Sequence, residues 1–155
     1  MNFDPKAFRN ALGHFPTGVV VVTSLAEGRE PVAMTVSSFN AVSLDPPLVL
    51  FSVSRAAPSL AALLETQTFG VSVLRHDQSD LSNRFSHAKG EKWDGIDPQY
   101  GETGCPLIAP CLATFECSIF ATHDGGDHLI IVGRVLRFES AAEGASPSAS
   151  PPKNP

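Results

Sequence analysis

Three short segments of this 155-residue chain hold side chains whose types and spacing suit ligand chemistry. The first is Ser52-Val53-Ser54-Arg55-Ala56-Ala57-Pro58-Ser59, where an apolar run ends in hydroxyls and one guanidinium ahead of a predicted helix start. Unpaired backbone N–H groups and the helix dipole favour an anion at such a point, and an arginine can add a bidentate contact. The same residues also fit plain capping by Ser54 or Ser59 beside a solvated arginine. The second segment is Met34-Thr35-Val36-Ser37-Ser38-Phe39-Asn40, dense in small hydroxyls between two apolar stretches. It suits a planar polar ligand or a phosphate, or else the wet face of an edge strand. Together the two segments favour one phosphate-bearing ligand spanning both. The third is His123-Asp124-Gly125-Gly126-Asp127-His128. Metal ligation, a plain polar hairpin and a histidine touching substrate are all open there, but the spacing matches no standard ligand set and no metal site is expected.

Other reactive residue types are less suggestive. His14, His76 and His87 stand alone and read as surface or capping histidines. Cys111 and Cys117 lie at or within an apolar strand and read as small core residues, whereas Cys105, in Gly104-Cys105-Pro106, is expected to be exposed. No base stands near Cys105 in sequence, so it is not read as a nucleophile. A G-x-S-x-G elbow is absent, as is a G-x-G-x-x-G turn after a strand, which removes support for a serine hydrolase or a Rossmann domain.

The elements that must position these segments are mostly strands. Asp4 and Pro5 start a short helix, with Phe8, Leu12 and Phe15 on one face, and Phe15-Pro16-Thr17-Gly18 ends it. Val19–Thr23 is a β-branched run, read as a buried strand. Gly28 and Pro31 bracket a turn, and Val32–Ser38 and Ala41–Ser43 are extended. Asp45-Pro46-Pro47 is expected to stop that pairing before Leu48–Val53 resumes as a strand. Pro58–Glu65 and Asp77–Phe85 read as helices, and Phe69–Val73 alternates as a strand. Ala88–Pro110, rich in glycine, proline and charge, reads as a long irregular loop of lid or partner-contact type. Leu112–Thr122 and His128–Phe138 are strands around a turn at Asp124-Gly125-Gly126-Asp127. A mainly antiparallel sheet of this kind hides its edges by closing into a small barrel.

Composition sets the outer bounds. With 43% apolar and 17% charged residues and mean hydropathy +0.04, the chain suits one globular domain with a real core. A net charge of −5 and a pI near 5.4 argue against a general nucleic-acid binder. No apolar run reaches the length of a membrane span, and Met1-Asn2-Phe3-Asp4-Pro5 lacks the pattern of a secretory signal. Three cysteines without a C-x-x-C pair fit a reducing cytoplasm rather than a disulfide scaffold. Residues 140–155 are almost wholly Ser, Ala, Pro and Gly and read as a disordered tail, leaving a folded unit of 1–139.

Taken in order, these residues resemble a family. Ala33-Met34-Thr35-Val36-Ser37-Ser38-Phe39 followed by Val42-Ser43-Leu44-Asp45-Pro46-Pro47-Leu48-Val49 is similar to the signature of the short-chain flavin reductases, the reductase partners of two-component flavin monooxygenases. The likeness continues through Phe69–Leu74, Asn83-Arg84-Phe85-Ser86, Lys92-Trp93-Asp94-Gly95, Gly104–Ile108, Leu112–Cys117, Gly126-Asp127-His128 and Val132–Val135. The resemblance implies a mainly β, Greek-key-like split β-barrel with a few short helices, homodimeric, with FMN or FAD across the barrel and partly at the subunit interface. It implies that Thr35, Val36, Ser37 and Ser38 line the flavin ring and its chain, that Ser52, Ser54, Arg55 and Ser59 hold the ribityl phosphate, and that Phe85 packs near the flavin. Asp127 and His128 form the Gly-Asp-His element, with His128 contacting nicotinamide.

The activity so implied is hydride transfer from NADH or NADPH to FMN or FAD, with reduced flavin passing to a partner monooxygenase. A flavin carrier of the same fold without reductase activity is the alternative. The family pattern also continues past Gly133-Arg134-Val135 into a further apolar strand, where this chain turns to Ser, Ala and Pro, so either an open sheet edge or another element covering it is expected there.

Overall fold

In the computed structural model, which describes residues 2–26, 29–86, 93 and 95–141, the β-branched run near the N-terminus lies inside the main sheet. It forms β1 (Val20–Leu25), buried on both faces. Valine and threonine lose little by being extended, and here both of their faces find apolar cover. The other long strands are β2 (Pro31–Val36), β3 (Asn40–Leu44), β4 (Pro47–Ser54), β5 (Thr68–Val73), β8 (Ala113–Gly125) and β9 (His128–Ser140). They pair antiparallel in the order β2-β1-β5-β8-β9-β4-β3. Two-residue strands β6 (Gln99–Tyr100) and β7 (Pro106–Leu107) form a separate small hairpin.

The two edge strands, β2 and β3, are consecutive in the chain, with Ser37-Ser38-Phe39 between them. Such a link spans at most about 14 Å, so the sheet curls until its edges come close. Among the described residues no ladder joins β2 to β3. One hydroxyl ties the gap instead: Ser38 Oγ accepts from the Ser52 amide at 2.9 Å and donates to the Ser52 carbonyl at 3.3 Å.

Within the curl, Val20, Val22, Phe51, Val53, Phe69, Val71 and Ile131 form the main core. Phe51 and Phe69 meet edge to face at 5.1 Å, and the Phe69 ring lies over Gly133, where a Cβ would fall 2.4 Å from its Cζ. A second cluster, Val21, Ala33, Leu74, Phe85 and Ile108, covers the other face of β1, with Trp93 and Ile96 packed on it. The alternation in Phe69–Val73 therefore does not mark a face left to water. Ser72 is fully buried and accepts from the Ile108 amide, while the Thr23 hydroxyl donates to the Pro106 carbonyl. Gly70 permits that approach, since a Cβ there would stand 2.7–3.0 Å from Thr23, Leu107 and Pro106.

Helix α1 (Pro5–Leu12) has Pro5 in its first turn and an Asp4 cap that accepts from the Lys6 amide at 3.2 Å. None of its residues is buried, and Phe8, Leu12 and the following Phe15 are exposed. Helix α2 (Leu60–Thr66) lies close to β1 and β5, and α3 (Ser79–Ser86), entered through a 3₁₀ turn at His76–Gln78, lies close to β2.

Several expectations need correcting. Asp45-Pro46-Pro47 does not interrupt pairing: the chain reverses at Asp45-Pro46, and Pro47 already stands opposite Leu44 in the β3–β4 ladder. The long β8–β9 hairpin turns on Gly126 and Asp127 alone, with Gly126 at φ +77, because strand pairing runs on through Gly125 and His128. Only Gly126 is left-handed there, which is the type II′ pattern that places glycine at the first central position. The 88–110 stretch contains the β6–β7 hairpin and the buried Cys105, Leu107 and Ile108. Cys105 is 3% exposed, not open to solvent, because Gly101–Cys105 folds back on β8 through Thr103 and Glu116. Ser140 belongs to β9, and the Ala141 amide bonds to the Leu112 carbonyl; the rest of the predicted tail lies outside the described residues, as do Gly28, His87, Lys92 and Asp94. Among the described residues, β9 is paired from Val135 to Ser140 on the β8 side only.

Candidate functional site

The cleft between the edge strand β2 and the end of β4 has a volume of about 440 Å³, within the range of pockets that hold cofactor-sized ligands. Its walls come from five parts of the structure. The end of β2 and its link supply Met34, Thr35, Val36, Ser37 and Ser38, and the end of β4 supplies Ser52, Val53 and Ser54. Ala57, Pro58 and Ser59 come from the approach to α2, Phe85 and Ser86 from the end of α3, and His128 from the start of β9.

The local hydrogen bonds explain this arrangement. The Thr35 hydroxyl donates to the Ser82 carbonyl at 2.7 Å, fastening β2 to α3, so this hydroxyl acts within the protein. Phe85 is buried and packs edge to face on Trp93 at 5.0 Å. After β4 the chain turns, with the Ala57 amide donating to the Ser54 carbonyl at 3.0 Å and the Ala56 amide to the Ser54 hydroxyl at 3.2 Å. Ser59 occupies the N-cap position of α2, is 8% exposed, and makes no side-chain capping bond. Plain capping by Ser59 is thus not what the structure contains, and the residue lines the cleft.

Two residues expected at the site point elsewhere. Arg55 is not part of the lining: its Nε donates to the Gly126 carbonyl at 2.9 Å and its Nη2 to Asp124 Oδ1 at 2.6 Å. Asp127 is exposed and outside the cleft, where its Oδ1 bonds to His128 Nδ1 at 2.7 Å. That bond holds the Asp127 carboxyl below its ordinary value of 3.8, and the Arg55 side chain, aided by the Gly126 amide, does the same for Asp124. His123 is exposed on β8, and among the described residues no three His, Cys, Asp or Glu side chains gather as a metal site. No helix among the described residues is long and apolar enough to cross a membrane.

The lining residues outside the predicted set are Met34, Val53, Ala57, Pro58 and Ser86. All but Ala57 directly adjoin a predicted residue, and Ala57 lies two residues from both Arg55 and Ser59, so their signal was proximity in the chain. The cleft is lined by six serines, an aromatic ring and one imidazole; Ser38 and Ser86 donate their hydroxyls within the protein, and the polar groups left suit a planar ring system with a polar, phosphorylated chain.

A family model described as a flavin reductase like domain matches residues 12–149. FMN reductase (NADH) SmoA of Agrobacterium fabrum is 50% identical over 133 residues, covering 85% of this chain and 75% of that protein. The reductase subunit HsaB of a flavin-dependent monooxygenase from Mycobacterium tuberculosis is 41% identical over 132 residues, covering 85% and 70%. Against a probable flavin reductase of Rhizobium meliloti the chain spans 45% of the other protein's length. Among solved structures, the Streptomyces globisporus NADH:FAD oxidoreductase SgcE6, in complex with NAD and FAD fragments, superposes with a TM-score of 0.83 at 40% identity, covering 91% of this chain and 87% of that one. The chain belongs to the flavin reductase-like family.

Proposed function

We propose that this chain is an NAD(P)H:flavin oxidoreductase that takes FMN or FAD into the cleft, reduces it with NADH or NADPH, and supplies reduced flavin to a partner monooxygenase. The observation that carries this reading is the convergence of Thr35–Ser38, Ser52, Ser54, Ser59, Phe85 and His128, from four separate stretches of chain, on one cavity of suitable size. Relatives named as NADH-dependent FMN and FAD reductases, and as a reductase subunit of a monooxygenase, support it.

In this reading Thr35, Val36, Ser37 and Ser38 lie along the flavin ring and its chain, mainly through backbone and hydroxyl groups. Ser52, Ser54 and Ser59 hold the phosphate. Phe85, fixed by Trp93, packs against the ring system, and His128 orients nicotinamide with its own ring set by Asp127. Flavin, when bound, supplies the hydride-accepting chemistry, and the protein's part is stacking, orientation and exclusion of water. No side chain is required as an acid or a covalent nucleophile.

The same reading assigns a closed split barrel, a homodimer and a cytoplasmic setting. The covalent link between the two sheet edges supports closure. Exposed Phe8, Leu12 and Phe15 at the N-terminus, with Phe120, Leu136 and Phe138 on the β8–β9 hairpin, support burial by a second subunit. Free Cys105, Cys111 and Cys117 suit a reducing compartment. The direct test is NADH oxidation by the purified protein with and without added FMN or FAD. Turnover that depends on added flavin is expected. Flavin binding without turnover would make the chain a carrier.

A further inference from the structure

We propose that Arg55 is a positioning residue that latches the β8–β9 turn onto the end of β4 and so holds the Asp127–His128 pair at the edge of the cleft, instead of serving as an anion ligand inside it. This rests on the reading of the cleft as the flavin and nicotinamide site. Three bonds make the latch. The Arg55 amide donates to the Asp127 carbonyl at 3.0 Å, one step beyond the β4–β9 ladder that ends with Ser54 opposite His128. Its Nε donates to the Gly126 carbonyl at 2.9 Å, and its Nη2 to Asp124 Oδ1 at 2.6 Å. Asp124 is itself braced by the Gly126 amide at 3.2 Å, so the guanidinium grips an ordered acceptor.

The chemistry of the side chain fits this task. A planar guanidinium presents Nε and Nη donors along one edge and can reach a carbonyl and a carboxylate together, whereas an ammonium is a point charge on a flexible stem. The neighbours Ser54 and Ala57 both wall the cleft, yet the Arg55 side chain leaves them for the turn. That turn is a two-residue reversal, exposed throughout, and it immediately precedes the one imidazole of the cleft. Fixing it fixes Asp127, whose carboxylate sets the His128 ring through Nδ1.

The test compares wild type with Arg55→Ala, Arg55→Lys, Asp124→Asn and the Arg55→Ala/Asp124→Asn double variant, using FMN and riboflavin, which lacks the phosphate, as paired probes. Arg55→Ala and Asp124→Asn are expected to raise KM for NADH several-fold with a smaller change in kcat, and the double variant to be no worse than Arg55→Ala. Lysine is expected not to restore the wild-type KM. FMN and riboflavin affinities should move by the same factor. FMN binding weakened ten-fold or more in Arg55→Ala, with riboflavin binding and Asp124→Asn unaffected, overturns the proposal in favour of a phosphate ligand. Amide hydrogen exchange on ligand-free protein decides the latch independently of the cleft's assignment. The amides of residues 55 and 126 should exchange faster in Arg55→Ala and in Asp124→Asn, and unchanged exchange overturns it. A wild-type protein that binds neither flavin, yet shows this exchange pattern, sinks the cleft's assignment and leaves the latch standing.

Discussion

His128 reaches the cleft with one ring nitrogen already engaged by Asp127, which leaves Nε2 as the nitrogen open to a ligand. Replacing it with alanine should raise KM for NADH by about 3- to 10-fold, the worth of one hydrogen bond, and steady-state kinetics at saturating flavin would show it. An unchanged KM and kcat would remove His128 from the site. The carboxyls of the turn give a pH prediction. Asp124 and Asp127 are both held below their ordinary 3.8, so what they contribute is fully present above that value and is lost as pH falls through the lower, folded-state value. Protection of the turn amides should therefore be level from neutral pH down to about 5 and collapse only below about 4. Thiols behave oppositely. Burial pushes all three up, Cys117 to about 12, so a thiol reagent should leave Cys105 and Cys117 untouched in the native protein and titrate three thiols after unfolding. At this scale the hydroxyl-rich segments were legible because neighbours in sequence share a wall. Arg55 was not, since its partner Asp124 is far away in sequence and a local reading sees only the nearby serines.

Elements were legible where one periodicity ruled. β-Branched Val20–Thr23 and the Gly-rich turn of the long hairpin announced themselves, and Asp4-Pro5 marked a helix start. What escaped was the cover on the second face of β1 and β5, because it comes from 105–108, a segment whose glycines and prolines resemble a loop. Gly133 shows how tightly the strands are bound to one another. An added methyl would overlap the buried Phe69 ring at 2.4 and 2.9 Å, so Gly133→Ala should destabilise the fold by about 1–3 kcal/mol and lower the urea midpoint. A midpoint within error of wild type would mean that the edge-to-face Phe51–Phe69 pair moves aside at little cost.

For the molecule as a whole, α1 is the unresolved demand. An amphipathic helix with no buried residue keeps Phe8 and Leu12 in water unless another surface covers them. For the homodimer proposed above, Leu12→Asp with Phe15→Asp is expected to shift dimer to monomer in light scattering, with thermal stability of the folded domain nearly unchanged. A dimer of undiminished strength would place the subunit contact elsewhere. Which distant strands pair was beyond reach of the sequence, because β4 with β9 and β1 with β5 are brought together by the curl and not by any local turn.

That same curl orders the events of folding. The β1–β2, β3–β4 and β8–β9 hairpins close short loops and can form early, whereas Ser54 finds His128, and Leu48 finds Arg134, only after a long stretch of chain has been gathered. One bank of the cleft is that late β4–β9 pairing, through Ser54 and His128, and the other is β2, with Ser38 to Ser52 as the stitch. The ligand site is thus among the last regions to assemble, and a ligand bridging both banks would slow unfolding more than it speeds folding.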